Sequence, residues 1–366
     1  MVTVSIQSSP NELPKVIGTS PNMKPKVLVV AHGVRSLSPS LSEQIDANYH
    51  IINYDCDNTD ECKRRMMPGG LYSEIDAIVE TGWKKSAPFL NHNLFSGDMV
   101  QAYPSSVKIV SCSGHGYDAA DIPTLTARGV WYCNTPDTCT TSVANTAVFL
   151  ILNVHRYFGF AEHCVRIDAW SASRALGSVA IDPIGQTLGV VGLGSIGLAT
   201  AQKAATALEM RVHYYGPRRK PDAEAKIPGG AVWHTSLSSL LQVADCICLA
   251  CPLTKETHHL MGTAEFAAAK QGLRVVNVAR GQLIDEEALI TAMITGKVCG
   301  VGLDVYENEP VVDERLKNDP MVTILPHIGV CSQTCWGEFE RRNWENIDGF
   351  FLSANKKPLT PVNVIE

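Results

Sequence analysis

The chain has no stretch long and apolar enough to cross a bilayer. That takes roughly 18–20 consecutive apolar residues, and the best candidate, Val143 to Val154, is shorter and interrupted by Asn145 and Asn153. An excess of one charge sign is missing too. With 31 Lys and Arg against 37 Asp and Glu the net charge is −6, so nothing draws the chain as a whole to nucleic acid or to an anionic membrane. Low-complexity tracts and repeats of fixed period are absent, which argues against fibrous and solenoid architectures. The first 25 residues contain Glu12 and hold neither an apolar signal core nor an Arg-rich amphipathic pattern, and Val364-Ile365-Glu366 is not a peroxisomal address. The expectation is a soluble cytoplasmic protein.

Cysteine is plentiful, at 12 residues, but groups of Cys and His at zinc spacing are not, and no metal is expected. A chain without an export signal has little use for a disulfide framework. Cys246 and Cys248 lie in the apolar run Cys246-Ile247-Cys248-Leu249-Ala250, where cysteine serves as a small buried hydrophobe.

What is present is the composition of a globular enzyme: 366 residues, 45% apolar and 19% charged, enough for two domains. Short β-type runs alternate with helical stretches, the signature of parallel sheets with crossover helices. The first series holds runs at 26–30, 76–79, 107–111 and 130–133. The second holds strands at 188–191, 211–215, 246–250, 274–278, 300–305 and 322–325, with helices at 196–208 and near 237–243 and another opened by Asp285. Between the series, 142–164 reads as one long apolar connector helix, and 334–352 has helical spacing at the end. The fold class expected is α/β with two Rossmann-like or flavodoxin-like units.

Gly192-Leu193-Gly194-Ser195-Ile196-Gly197 follows the strand at 188–191 and opens the helix at 196–208, the setting a dinucleotide site needs. Gly192 permits the tight turn, Gly194 lets backbone approach a pyrophosphate, and Gly197 lets helix pack close to strand. The helix N-terminus faces the phosphates. An NAD site would place a carboxylate about twenty residues on. Gly216 stands 19 residues beyond Gly197, followed by Pro217 and the cations Arg218, Arg219 and Lys220. A glycine leaves room for a 2′-phosphate and the cations can pair with it. NADPH is therefore expected over NADH, with NADH as the alternative.

Three stretches downstream carry chemistry: Val275-Val276-Asn277-Val278-Ala279-Arg280-Gly281, then Gly302-Leu303-Asp304-Val305-Tyr306-Glu307-Asn308-Glu309-Pro310, then Leu325-Pro326-His327-Ile328-Gly329. From Arg280 to Glu309 is 29 residues and from Glu309 to His327 is 18. In these motifs, their order and spacing, and the loop Pro252-Leu253-Thr254-Lys255-Glu256-Thr257, the chain from about Val27 onward resembles the D-isomer-specific 2-hydroxyacid dehydrogenases. The chemistry suits the residues. A rigid Arg280 fork can hold a 2-keto acid's carboxylate and polarise its ketone. His327 can protonate the developing alkoxide, and Glu309 can orient the ring and favour its charged form.

The resemblance implies more. Pro252, Thr257, Val278 and Asp304, with Ser195 and Ile196, would line the cofactor, Asp304 at the nicotinamide carboxamide. In Ser113-Gly114-His115-Gly116-Tyr117-Asp118, backbone N–H groups of His115 and Gly116 would take the substrate carboxylate, and Asp121 would brace the loop. Residues 1–141 with 330–366 would form the substrate domain and 142–329 the nucleotide domain, with catalysis in the cleft between them. Relatives are typically homodimers built through the nucleotide domain and its connector helix. Where many members have Arg after the catalytic His, this chain has Trp336, as in a fungal D-mandelate dehydrogenase branch. Trp336 either lines a pocket for a bulky 2-keto acid or packs in the core. Glyoxylate or hydroxypyruvate therefore competes with larger substrates. Nucleotide-sensing corepressors share the fold and stand as the alternative from another class.

Overall fold

The computed structural model describes residues 24–30, 38–81, 93–95 and 97–365. The leader reading of the first 25 residues therefore falls almost wholly outside the described residues. Two parallel sheets make the frame. The first is built from β1 (Lys26–Val30), β2 (His50–Asn53), β3 (Ala77–Glu80), β4 (Ile109–Cys112) and β5 (Trp131–Cys133), in the order β2-β1-β3-β4-β5. The second contains β6 (Thr187–Val191), β7 (Arg211–Tyr215), β8 (Ala231–His234), β9 (Cys246–Leu249), β10 (Leu273–Asn277), β11 (Val298–Leu303) and β12 (Val322–Ile324), in the order β12-β11-β10-β9-β6-β7-β8. The first order is flavodoxin-like. The second is the doubly wound dinucleotide order with one strand added.

The inner strands are continuous apolar runs because helices cover both faces. Side chains alternate between two cores: Leu28 and Val30 join one cluster and Val27 and Val29 another, while Ile247 and Leu249 part from Cys246 and Cys248 in the same way. Cys246 and Cys248 are fully buried, and among the described residues no cysteine forms a disulfide. Among the described residues no helix is long and apolar enough to cross a membrane.

Two strands escaped the sequence reading. β2 and β8 are edge strands, half-exposed, with the mixed patterns His-Ile-Ile-Asn and Ala-Val-Trp-His. They owe their place to pairing with β1 and β7. The connector also differs from the single helix expected over 142–164. It runs Thr140–Arg156, stops where Tyr157 turns left-handed at φ 53°, and restarts as Phe158–Arg166. Its first piece packs tightly on β11, where a Cβ on Gly300 would stand 2.7 Å from the Val154 carbonyl and one on Gly302 3.2 Å from Leu150 Cβ.

The chain returns through the helix Gln333–Phe351, capped by Ser332. Cys335 and Phe339 in its first turns join the core of the second sheet, whereas Trp344 and Ile347 join that of the first. At the crossing, Ser142 Oγ and Ser332 Oγ are 3.1 Å apart, so both passages between sheets meet at one point.

Candidate active site

Three adjacent strands end level with one another: Asn277 of β10 pairs with Leu303 of β11, and Leu303 with Ile324 of β12. Arg280, Asp304 and His327 follow these ends within three residues. Strands in a sheet lie about 4.8 Å apart, so the three loops share one corner of the carboxyl edge.

His327 Nδ1–H is donated to Glu309 Oε2 at 2.9 Å, with the imidazole 22% exposed and the carboxylate 9%. Glu309 Oε1 accepts from the Tyr306 N–H at 3.0 Å, so both oxygens hold the pair in place. His327 sits at φ 54°, a left-handed conformation that costs a side-chain-bearing residue of order 1 kcal/mol or more. The next two peptide groups hold it there. Ile328 and Gly329 donate their N–H groups to Asp304 Oδ1 and Oδ2 at 2.7 and 2.8 Å. A Cβ on Gly329 would lie 2.8 Å from that carboxylate. Burial raises the Asp304 carboxyl above its ordinary range, against the pull of the two N–H donors and of His327. Asp304, expected at the cofactor, is thus also the clasp of the loop that carries His327.

Arg280 is braced from several sides. Asn277 Nδ2 donates to its carbonyl at 2.8 Å, and Gly281 is pressed on the Tyr306 backbone, where a Cβ would come within 1.8 Å. Its guanidinium meets Asp118 from the loop after β4: Nε donates to both carboxylate oxygens, at 3.0 and 3.2 Å. Nothing in the sequence around Asp118 marks it as a partner of Arg280. A carboxylate lying 162 positions from its cation has no signal in spacing; only its place beside Gly116 in the proposed substrate loop hinted at one.

That loop is anchored from beneath by buried amides of the return helix. Asn343 Nδ2 donates to the Glu80 carbonyl and to Ser113 Oγ, and Ser111 Oγ donates to Asn343 Oδ1. Gly114 N–H is donated to Thr135 Oγ1 at 2.8 Å and Asn134 Nδ2 to the His115 carbonyl at 2.7 Å. Asp121 caps the following helix through the Thr124 N–H and hydroxyl, which hold its carboxyl below the usual range. Trp336 is half-buried in the first turn of the return helix and packs on the core of the second sheet.

At β6 each glycine does something different. Gly192 has φ 94°, and a Cβ there would strike Ala250 and Cys251 at 2.8 Å. A Cβ on Gly197 would lie 2.0 Å from the Gly192 carbonyl, whereas one on Gly194 meets nothing within 4 Å. This is the division of labour a dinucleotide turn requires, with the open side at the second glycine. Ser195 begins the helix and Ile196 packs on the core. These residues fit a dinucleotide, its pyrophosphate at Gly194 and the helix N-terminus.

The three cations beyond β7 differ in their partners. Arg219 is committed to Glu224, Nε and Nη2 donating at 2.8–3.2 Å, and Tyr214 donates its hydroxyl to the same carboxylate at 2.6 Å. Arg219 first, then Tyr214, hold the Glu224 carboxyl below its usual range. Lys220 Nζ donates to the Leu193 carbonyl of the glycine turn at 2.9 Å. Arg218 is exposed and makes no hydrogen bond or ion pair with the described residues. Gly216 has a conformation open to any residue and free space where a side chain would go.

In the loop after β9, the Thr257 hydroxyl closes the loop on itself, donating to the Pro252 carbonyl at 2.8 Å and accepting from the Thr254 N–H at 2.7 Å. Pro252 is exposed and Val278 buried. His259, missed in the sequence, ties this loop to Glu307 through Nε2 at 2.7 Å.

Comparison with known proteins agrees with this geometry. The family described as D-isomer specific 2-hydroxyacid dehydrogenase, NAD binding domain, matches residues 148–329. The 4-methyl-2-oxopentanoate reductase A of Aspergillus oryzae is 37% identical over 71% of this chain and 75% of its own. The D-mandelate dehydrogenase of Rhodotorula graminis in its holo form superposes with a TM-score of 0.86 at 32% identity, over 94% of this chain and 99% of its own. The NADPH-dependent glyoxylate/hydroxypyruvate reductase of Sinorhizobium meliloti, solved with NADP and malonate, does so with a TM-score of 0.74 at 27% identity, over 93% and 97%. Strand order, glycine turn and kinship lead to one conclusion: the chain belongs to the D-isomer-specific 2-hydroxyacid dehydrogenases and is an oxidoreductase of the NAD(P)-binding kind.

Proposed function

We propose that the enzyme reduces a 2-keto acid to the D-2-hydroxy acid, and runs the reverse, with Arg280, Glu309 and His327 as its working set and NADPH as its preferred cofactor. The His327–Glu309 pair carries this reading: a carboxylate that accepts Nδ1–H fixes the ring and favours its charged form. Nε2 is then the nitrogen that gives a proton to the ketone oxygen and takes it back in reverse. Arg280 holds the substrate carboxylate, together with the His115 and Gly116 N–H groups, and its positive charge favours the developing alkoxide through space, without a hydrogen bond to it. A bound nicotinamide supplies the hydride. Residues 1–141 with 330–366 serve as the substrate unit and 142–329 as the nucleotide unit, and their approach excludes water from the reacting atoms.

For the cofactor, the open side of Gly216 admits a 2′-phosphate, with exposed Arg218 as the principal cation and Lys220 beside the glycine turn. Arg219 acts indirectly, through the Glu224 pair that shapes the turn. Pro252, Thr257, Val278 and Asp304 frame the nicotinamide side. A bulky substrate side chain is in keeping with the substrates named for the Aspergillus and Rhodotorula relatives, whereas Trp336, packed on the core of the second sheet, is the weaker ground for it. The exposed apolar residues Phe149, Phe158, Val165, Ile167 and Trp170, around the broken connector, make a homodimer seam there.

The test is a panel of 2-keto acids, from glyoxylate and hydroxypyruvate to 4-methyl-2-oxopentanoate and benzoylformate, assayed with both nucleotides at the nicotinamide absorbance band. NADPH with a bulky keto acid is expected to give the highest kcat/KM. Turnover of none would overturn the 2-keto acid reading, and preference for glyoxylate would overturn the expectation of a bulky substrate.

A further inference from the structure

The Arg280–Asp118 contact accounts for one edge of a group with five N–H donors. Nε donates to both Asp118 oxygens, and Nη2 stands 3.0 Å from Oδ1. Nη1 donates to the Ala279 carbonyl at 2.8 Å. The edge without a partner among the described residues is the terminal one, with an N–H on Nη1 and another on Nη2. A planar guanidinium clasped along its Nε edge presents that terminal edge in a fixed direction.

Gly116 fixes the remaining dimension. A Cβ on it would lie 1.9 Å from Arg280 Nη2, 2.9 Å from Cζ and 2.8 Å from Asp118 Oδ1. The guanidinium therefore lies against bare backbone, sandwiched between a loop of the first sheet and its own strand end on the second. Stability is a poor reason for the ion pair. Its side chains are 32% and 30% exposed, and pairs so open to water contribute about 0–1 kcal/mol.

We propose that Asp118 is a positioning residue for substrate binding. By occupying the Nε edge it turns the terminal edge of Arg280 toward the carboxylate of the 2-keto acid, which is received end-on by Nη1 and Nη2. Without Asp118 the two edges of the guanidinium compete for the substrate, and end-on capture is lost. This rests on the 2-keto acid reading above, and it separates the substrate's carboxylate from its ketone, since only the carboxylate meets the edge that Asp118 selects.

The full-length enzyme with saturating NADPH tests it, as Asp118→Ala and Asp118→Asn, on a 2-keto acid and on its methyl ester, which carries no anion. Asp118→Ala is expected to lower kcat/KM for the acid tenfold or more, chiefly through KM, and to cost the acid at least fivefold more than the ester. Asp118→Asn, whose amide oxygen still accepts from Nε, recovers much of the loss. Equal losses for acid and ester would mean general damage to the loop and would overturn the proposal, as would an unchanged acid. Binding of oxamate to the enzyme–NADPH complex, followed by nicotinamide fluorescence, reads the same edge without turnover. Weaker oxamate binding in Asp118→Ala supports the proposal even if no keto acid is reduced, whereas unchanged binding, or none in the wild type, overturns it.

Discussion

His327 has a conformation that its own side chain disfavours, and the carboxylate of Asp304 is what makes it tolerable. Asp304→Asn keeps one acceptor and turns an N–H donor toward the backbone N–H groups it must accept. We expect kcat to fall tenfold or more while the Kd for NADPH moves less than threefold, measured by stopped-flow turnover and fluorescence titration. A larger loss of NADPH binding than of turnover would assign Asp304 to the cofactor alone. His327→Ala should cost about 10²–10⁴ in kcat, the usual worth of a general acid, with NADPH binding retained. At Gly216, where a Cβ meets nothing, Asp can be introduced without strain, and Gly216→Asp should move the kcat/KM ratio of NADPH to NADH at least tenfold toward NADH. Arg280, Glu309 and His327 were legible in the sequence because each follows a recognisable strand at a fixed interval. Asp118, Glu224 and Asn343 were not. Each matters through a partner brought by the fold, and nothing local distinguishes a working carboxylate or amide from a solvated one.

At the level of elements, the connector Thr140–Arg156 carries a buried titratable group near its end. His155 Nδ1–H is donated to the Ile151 carbonyl at 2.7 Å, while Nε2 is buried without a hydrogen-bond partner among the described residues. Burial moves the imidazole down to about 4, with Arg274 adding to the effect and the Ile151 bond opposing it. The unfolded chain then takes up a proton that the folded one refuses between the ordinary imidazole value near 6.5 and pH 4. Stability is complete above that window and is lost as pH falls through it, by roughly 3 kcal/mol at its foot. The urea midpoint should therefore drop between pH 7 and pH 4.5, and by clearly less in His155→Gln; an equal drop in both would show that other groups govern the acid limb. The inner strands and the longer helices around the second sheet were readable because burial writes an apolar pattern into them, whereas Pro39–Asn48 and Thr59–Met66, with one and two buried residues, carry no such pattern and were not placed. β2 and β8 are held by pairing along one edge and need no such pattern, and the break at Tyr157 is a backbone turn that an apolar run conceals.

For the molecule as a whole, the exposed apolar residues along 149–170 predict self-association. Trp170→Glu with Val165→Glu should convert a dimer to a monomer in light scattering at micromolar concentration, and an unchanged mass would place the contact elsewhere. The two-unit plan was legible from the alternation of strands and helices, but the mingled loyalty of the return helix, its first turns on one core and its later turns on the other, was not. The level ends of β10, β11 and β12 have a separate consequence. The pair proposed for proton transfer and the arginine descend from a single sheet, whereas the groups proposed to aim the arginine and seat the acid descend from the other. On the proposed roles, chemistry and choice of substrate would be inherited on separate pieces. A chimera that keeps 142–329 and borrows its first sheet and return helix from a relative should take the donor's substrate range while retaining its own nucleotide preference.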